Sequence, residues 1–268
     1  MSILQAIVLG IVQGITEFLP VSSSGHLILI PELFGWEHQS MDFDVMIHVA
    51  TLCAVVWVMR EDIAKILKGL FSKHADREGV LGWKILVATL PVVFVGLFVA
   101  GEFIDQFRTP LLVGVMLIVW GIILWVADWF GSKKKGRVTS VERISWVSAI
   151  LIGCFQVFAL LPGTSRSGST ISGGLLMGLD RPSAARFSFL LSIPAIAGAG
   201  LLTTLDAVQG GYETPVLPMI FGFIAAFISG MFAIRLLLAL VQKISYGWFA
   251  GYRIIVGILL ILFALDVF

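Results

Sequence analysis

Residues Gln13 to His26 read QGITEFLPVSSSGH, which places a carboxamide, a carboxylate, three consecutive hydroxyls and an imidazole within one short stretch. Gln13 and Glu17 are four apart and so share a helix face. The hard oxygens of Glu17, with Gln13 as a neutral oxygen donor, suit a divalent cation. Ser22, Ser23 and Ser24 follow the break at Pro20, where amides and hydroxyls at the start of a new helix favour an anion, so the run is a candidate phosphate cradle. A serine hydroxyl is a weak nucleophile until a base or a metal activates it, and His26 is the nearest base. A second stretch, Leu161 to Thr170, reads LPGTSRSGST and sets Arg166 among Thr164, Ser165 and Ser167. The planar fork of an arginine holds two phosphate oxygens at once, so Arg166 is expected to clamp a phosphate or pyrophosphate.

Each feature also has a plainer reading. Glu17 and Arg166 could pair purely for assembly, and a serine at a membrane helix break often only satisfies freed backbone groups. Packing alone would not call for the serines and the histidine as well. Asp44 and His48 suit either supporting partners of the site or a satisfied helix-end pair, and Arg186, near the start of a span, reads as a topology determinant.

Both stretches lie in a chain that is 58% hydrophobic and 13% charged, with a mean hydropathy of +1.00. That composition excludes an ordinary soluble domain and predicts an all-α polytopic membrane protein. The formal net charge of +1 says nothing about partners, and nucleic acid is not suggested. Cys53 and Cys154 fall in apolar helical runs and are expected to be small packing residues rather than a disulfide. The N-terminus lacks the basic region and cleavage site of a signal peptide, so it is read as the first helix.

An apolar helix over 3–19 stops at Leu19-Pro20, because proline disfavours helical geometry in the residue before it. From Ser22 to Phe34 there are 13 residues, too few to cross about 30 Å of hydrocarbon. A re-entrant hairpin over 3–34 fits better, followed by spans near Phe43–Met59, Trp83–Ala100 and Pro110–Trp129. The pattern then recurs as a hairpin over 144–178 and spans near Ala184–Leu205, Pro218–Val241 and Phe249–Phe268. A shift of 143 positions aligns Ala6 with Ala149, Gly10 with Gly153, Gln13 with Gln156, Ser22 with Ser165, Ser24 with Ser167 and Gly25 with Gly168.

One membrane domain is therefore expected, with a first repeat over 1–130 and a second over 144–268. Because a hairpin returns to its own side and three crossings follow it, the repeats must be inverted. In such folds binding sites form near the midplane, where broken segments of the two halves meet. Basic residues cluster on alternate connections: Arg60, Lys65, Lys68, Lys73, Arg77 and Lys84; Lys133, Lys134, Lys135, Arg137 and Arg143; Arg181 and Arg186; Lys243 and Arg253. The other connections carry Glu37 and Asp42, then Glu102, Asp105 and Arg108, then Asp206 and Glu213. By the excess of cations on cytoplasmic loops, both termini and the entry to the first hairpin lie outside.

The motifs EFLPVSSSGH and PGTSRSGST, in this order and spacing, resemble the undecaprenyl-pyrophosphate phosphatase family of the bacitracin-resistance, or BacA, type, over essentially the full length. The resemblance covers Gln13 to Glu17, His26, and Pro162 to Gly168. It implies hydrolysis of undecaprenyl pyrophosphate to the monophosphate in a bacterial inner membrane, recycling the lipid carrier of cell-wall synthesis and conferring bacitracin resistance, with a divalent metal such as Mg²⁺ or Ca²⁺ at Gln13 and Glu17. Glu17, Ser23, His26 and Arg166 are then the catalytic residues, and Ser22, Ser24, Thr164, Ser165 and Ser167 bind substrate. Ser23 is the preferred nucleophile, with Ser24, His26 or an activated water as alternatives. Gln13 gives the metal one negative charge fewer than the glutamate of other members. The lipid keeps its tail in the bilayer and presents its head to a cavity open to the external face. A lipid-phosphate flippase or anion carrier is the competing class, since inverted repeats with broken segments also serve alternating access. Assembly into a homo-oligomer is left open.

Overall fold

A computed structural model of the chain describes residues 1–72, 76–98, 109–134, 136–210 and 214–265, the side chains of 202–210 apart. Among them are eleven α-helices: α1 (Ile3–Phe18), α2 (Ser23–Phe34), α3 (Met41–Val58), α4 (Arg60–Leu70), α5 (Arg77–Phe98), α6 (Pro110–Lys133), α7 (Trp146–Val157), α8 (Arg166–Leu176), α9 (Arg181–Gly210), α10 (Val216–Leu240) and α11 (Gly247–Ala264). Their starts are chemically marked. Ser2 and Gln5 form a reciprocal capping box on α1, Thr109 accepts from the Leu112 amide ahead of Pro110 on α6, and Ser145 accepts from the Ser148 amide on α7.

Among the described residues six helices are long and apolar enough to cross a membrane: α3, α5, α6, the Arg181–Leu201 part of α9, α10 and α11. They coincide with the six expected spans, and the chain is a multi-pass membrane protein. Two further apolar helices among the described residues, α1 and α7, are shorter. With 16 residues, α1 reaches only about 24 Å. The 12 residues of α7 are extended by one 3₁₀ turn, Phe158–Leu160. Helix α4 was not anticipated; it is amphipathic, burying Ile66 and Gly69 while Arg60, Lys65 and Lys68 stay exposed.

Glycine lets α1 and α7 approach their neighbours closely. Gly10 and Gly14 of α1 face α10, where a β-carbon at Gly14 would overlap Ser229 Oγ, the Ala226 carbonyl and the Gly230 amide. Gly153 of α7, which aligns with Gly10, lies against the Ala88 carbonyl of α5 in the same way. Small residues at such crossings let backbones approach where lipid supplies no hydrophobic drive of its own.

Several residues expected in basic connections turn inward. Lys84 is buried, donates to the Ile144 carbonyl at 2.6 Å and lies over the Trp146 ring. Arg181 donates twice to buried Asp128, at 2.6 and 2.8 Å, and that carboxylate also accepts from Ser245 Oγ and the Tyr246 amide. Arg186, expected only to mark a span, makes a two-point ion pair with Asp62. Arg253 is fully buried. A count of cations per connection cannot separate a solvated lysine from one that reaches back to a carbonyl or a carboxylate. Arg60, Lys65, Lys68, Arg77, Lys133, Lys134, Arg137, Arg143 and Lys243 are exposed, as are Trp57, Trp129, Trp146 and Trp248, with Arg60 over the Trp57 ring and Lys133 over that of Trp129. Lys73, Lys135, Glu102, Asp105, Arg108 and Glu213 lie outside the described residues, as does the side chain of Asp206. Cys53 and Cys154 are exposed rather than packed, because the outward face of a membrane helix is as apolar as its inward face.

Candidate active site

The two hairpin tips are built alike. After α1, Leu19 is extended, Pro20 breaks the helix, and Ser22 takes φ of 75° before α2 begins at Ser23. After α7 and its 3₁₀ turn come Pro162, then Gly163 at φ of 87° and Ser165 at φ of 70°, before α8 begins at Arg166. Among the described residues Ser22 and Ser165 are the only non-glycine residues with positive φ, and the 143-position shift aligns them. That geometry costs on the order of 1 kcal/mol at each serine and turns the next helix sharply back. In both tips the strained serine meets its second neighbour: Ser22 Oγ to Ser24 Oγ at 3.2 Å, and Ser165 Oγ to Ser167 Oγ at 3.1 Å. Ser165 Oγ also accepts from the Gly168 amide.

The tips touch each other. Ser167 Oγ donates to the Leu19 carbonyl at 2.9 Å, and the Gly163 amide donates to Ser24 Oγ at 3.4 Å. Arg253 of α11 joins them from beneath, donating to the carbonyls of Pro20, Gly163, Thr164 and Leu117 at 2.8 to 3.3 Å. Its guanidinium also fills the space beside Gly168, where a β-carbon would come within 2.6 Å of Nη1.

Glu17 is the hub of the charged groups. Its Oε1 accepts from Arg166 Nη2 at 2.9 Å, and its Oε2 accepts from Ser23 Oγ and from Gln13 Nε2, both at 2.9 Å. His48 Nε2 stands 3.7 Å from Oε2, while its Nδ1 donates to the Asp44 carbonyl. Of the two expected supporting residues, His48 therefore joins the cluster, and its bond to Asp44 runs through the backbone. Arg166 also donates from Nη1 to the Ser188 carbonyl at 3.3 Å, while its Nε is buried without a partner among the described residues. Gln13 Oε1 and Thr164 Oγ1 are likewise buried and unpartnered.

Gln13, Glu17, Ser23 and Arg166 are thus in direct contact, with Ser22, Ser24, Ser165 and Ser167 lining the two tips beside them. The Glu17–Arg166 pair of the plainer reading does form, but it carries Ser23 and Gln13 on the same carboxylate. His26 departs from its expected place as the base of the serines: Nδ1 bonds the Ser22 carbonyl and Nε2 the Tyr252 hydroxyl, each at 2.7 Å, while Ser23 Oγ turns to Glu17. An arginine inside the apolar run of α11 was the available signal for Arg253, and its count among loop cations concealed it. Tyr252 carried no signal of its own.

The centre holds two guanidiniums, Arg166 and Arg253, and one carboxylate, Glu17. Among the described residues the hydrogen bonds of Arg253 go to carbonyls, so its charge is solvated but not neutralised. In a low-dielectric interior an excess cation of this kind favours an anionic ligand. No group of three or more His, Cys, Asp or Glu side chains suited to a metal occurs among the described residues. A divalent ion would find one carboxylate, Glu17, with the unpartnered Gln13 Oε1 beside it. That donor set fits Mg²⁺, which takes one or two carboxylates and completes its shell with water and substrate phosphate.

A family model described as bacitracin resistance protein BacA matches residues 6–259. The undecaprenyl-diphosphatase 2 of Stutzerimonas stutzeri (strain A1501) is 44% identical, with 98% of this chain and 99% of the relative covered. The undecaprenyl-diphosphatase of Alteromonas mediterranea is 40% identical over 98% of this chain and 99% of its own length. That of Pelotomaculum thermopropionicum is 40% identical over 98% and 97%.

Proposed function

The chain belongs to the bacitracin-resistance BacA family, and from that membership we infer that it hydrolyses undecaprenyl diphosphate to undecaprenyl phosphate and inorganic phosphate within the membrane. The observation that carries the assignment to this site is the meeting of Arg166, Ser23 and Gln13 on the Glu17 carboxylate where the two tips touch. The flippase or carrier reading is not favoured: the relatives are named as hydrolases, and a carrier would have no use for a serine hydroxyl bonded to a carboxylate.

The chemistry follows from these contacts. Arg166 exchanges Glu17 for oxygens of the terminal phosphate and, with Arg253 behind the tips, offsets the charge of the transferring group. Ser23 Oγ gives its proton to Glu17 and attacks the terminal phosphorus, the bond to the bridging oxygen breaks, and undecaprenyl phosphate leaves. Water then cleaves the phosphoserine, giving its proton to His26 Nε2, while Glu17 returns its proton to Ser23 Oγ as the phosphorus–oxygen bond breaks; the proton on His26 leaves to solvent with the inorganic phosphate. Ser22, Ser24, Thr164, Ser165 and Ser167 hold the phosphates meanwhile. A divalent metal held by Glu17 and Gln13 Oε1 would supply charge neutralisation at the diphosphate.

Three further features belong to this reading. The halves are inverted repeats, supported by the aligned strained serines and the aligned glycine crossings. The protein resides in the bacterial inner membrane, where its lipid substrate is found, and its site opens to the external face, supported by the exposed cations and tryptophans on the opposite connections. Metal dependence has a direct test. Addition of a chelator to purified protein turning over undecaprenyl diphosphate is expected to reduce phosphate release by about 10²-fold or more, with recovery on excess Mg²⁺ or Ca²⁺. Full activity after exhaustive chelation would remove the metal from the account.

A further inference from the structure

His26 is held at both ring nitrogens, and for the neutral ring the two partners select one tautomer. Nδ1 lies 2.7 Å from the Ser22 carbonyl, which has no proton to give, so Nδ1 carries the hydrogen. A neutral imidazole has one N–H, which leaves a lone pair on Nε2. The Tyr252 hydroxyl, 2.7 Å away, donates to it. The two rings are nearly parallel, at 4°. This bond ties the first hairpin to the last span. Two consecutive residues of α11 therefore grip the centre, Arg253 by the carbonyls of the tips and Tyr252 by the imidazole.

Tyr252 lies on the exposed stripe of α11 with Trp248, Ile255 and Leu259, and its hydroxyl turns inward. A hydroxyl beside hydrocarbon needs a partner, so His26 could serve merely to satisfy the tyrosine. The bond, however, falls on the one nitrogen through which His26 can act as a base.

We propose that Tyr252 is a positioning residue of the diphosphatase. Its hydroxyl holds the His26 ring in one rotamer with Nε2 as the basic atom, and yields that atom to the water that cleaves the phosphoserine. Tyr252 keeps its own proton throughout: the water proton passes to Nε2 and on to solvent, while Glu17 returns its proton to Ser23 Oγ as the phosphorus–oxygen bond breaks. The inference rests on the reading of His26 as the proton carrier of the second step.

Steady-state kinetics on undecaprenyl diphosphate, with wild type, Tyr252→Phe, His26→Gln and the double variant, test it. Tyr252→Phe removes only the hydroxyl. It is expected to lower kcat about tenfold, a fraction of what a whole general base contributes, with KM within about twofold. It should cost nothing further in the His26→Gln background, because it acts through His26. With four histidines in the chain, ¹⁵N spectra of the labelled protein can follow the ring even where activity is too low to measure. The His26 Nε2 signal should move in Tyr252→Phe while Nδ1 stays protonated.

Unchanged kcat in Tyr252→Phe, an effect confined to KM, an equal loss in the His26→Gln background, or an unmoved Nε2 signal overturns the proposal and leaves the diphosphatase reading intact. Full activity in His26→Gln overturns both the role given to His26 and the proposal. Wild type that releases no phosphate overturns the whole reading, the proposal with it.

Discussion

Arg166→Ala is expected to lower phosphate release from undecaprenyl diphosphate by on the order of 10³-fold, the scale at which an arginine stabilises phosphoryl transfer. Arg166 starts α8 immediately after a strained serine, so backbone geometry aims it across the tip junction at Glu17. Its buried Nε has no partner among the described residues, and its two terminal nitrogens bond a carboxylate and one carbonyl. Substrate phosphate can therefore replace Glu17 without leaving the guanidinium desolvated. Arg166→Lys is expected to recover little, because an ammonium keeps the charge and loses the planar fork. If Arg166→Ala released phosphate at the wild-type rate, the junction of the tips would not be the reaction centre.

Arg253→Met is expected to fail differently, in stability first. The arginine is fully buried and satisfies four carbonyls drawn from α6 and both tips. Methionine fills much of the volume and supplies no donor, so the carbonyls are left in a medium that cannot hydrate them. Loss of such a buried charged hub costs about 3–5 kcal/mol. A lower melting temperature in detergent is expected together with lost activity, because the tips separate when their shared donor is gone. Arg166→Ala should also melt below wild type, because it leaves the buried Glu17 carboxylate without its cation, but the tips keep their shared donor. An Arg253→Met protein with unchanged melting and activity would show that the tips hold together without the clamp.

Much of this molecule was legible in its residues, for identifiable reasons. Hydropathy locates spans because the bilayer imposes length and apolarity on every crossing helix, and Pro20 and Pro162 mark the breaks because proline cannot continue a helix. The carboxylate, serines and arginine stood out because an apolar chain has no cheap place for them. Which side chains meet was less legible. The sequence places His26 nearest to Ser23, yet the turn of α2 carries the imidazole to Tyr252 and leaves the hydroxyl on Glu17. Arg253 and Lys84 were hidden by being counted with the loop cations of the adjoining connections, although each lies about two turns inside its helix, because a cation in a loop and a cation folded back look the same in one dimension. Cys53 and Cys154 show the same limit for burial, since lipid and protein interior reward the same residues.

The most direct test of the account is phosphate release from undecaprenyl diphosphate by the purified protein in detergent with Mg²⁺, wild type beside Glu17→Ala, both shown to be folded. Glu17 is the contact shared by the proposed nucleophile, the clamp and the metal's neutral donor. The account predicts release of inorganic phosphate with accumulation of undecaprenyl phosphate by wild type, and loss of both in Glu17→Ala. Hydrolysis that survives the loss of Glu17, or a folded wild type that releases no phosphate, would contradict it.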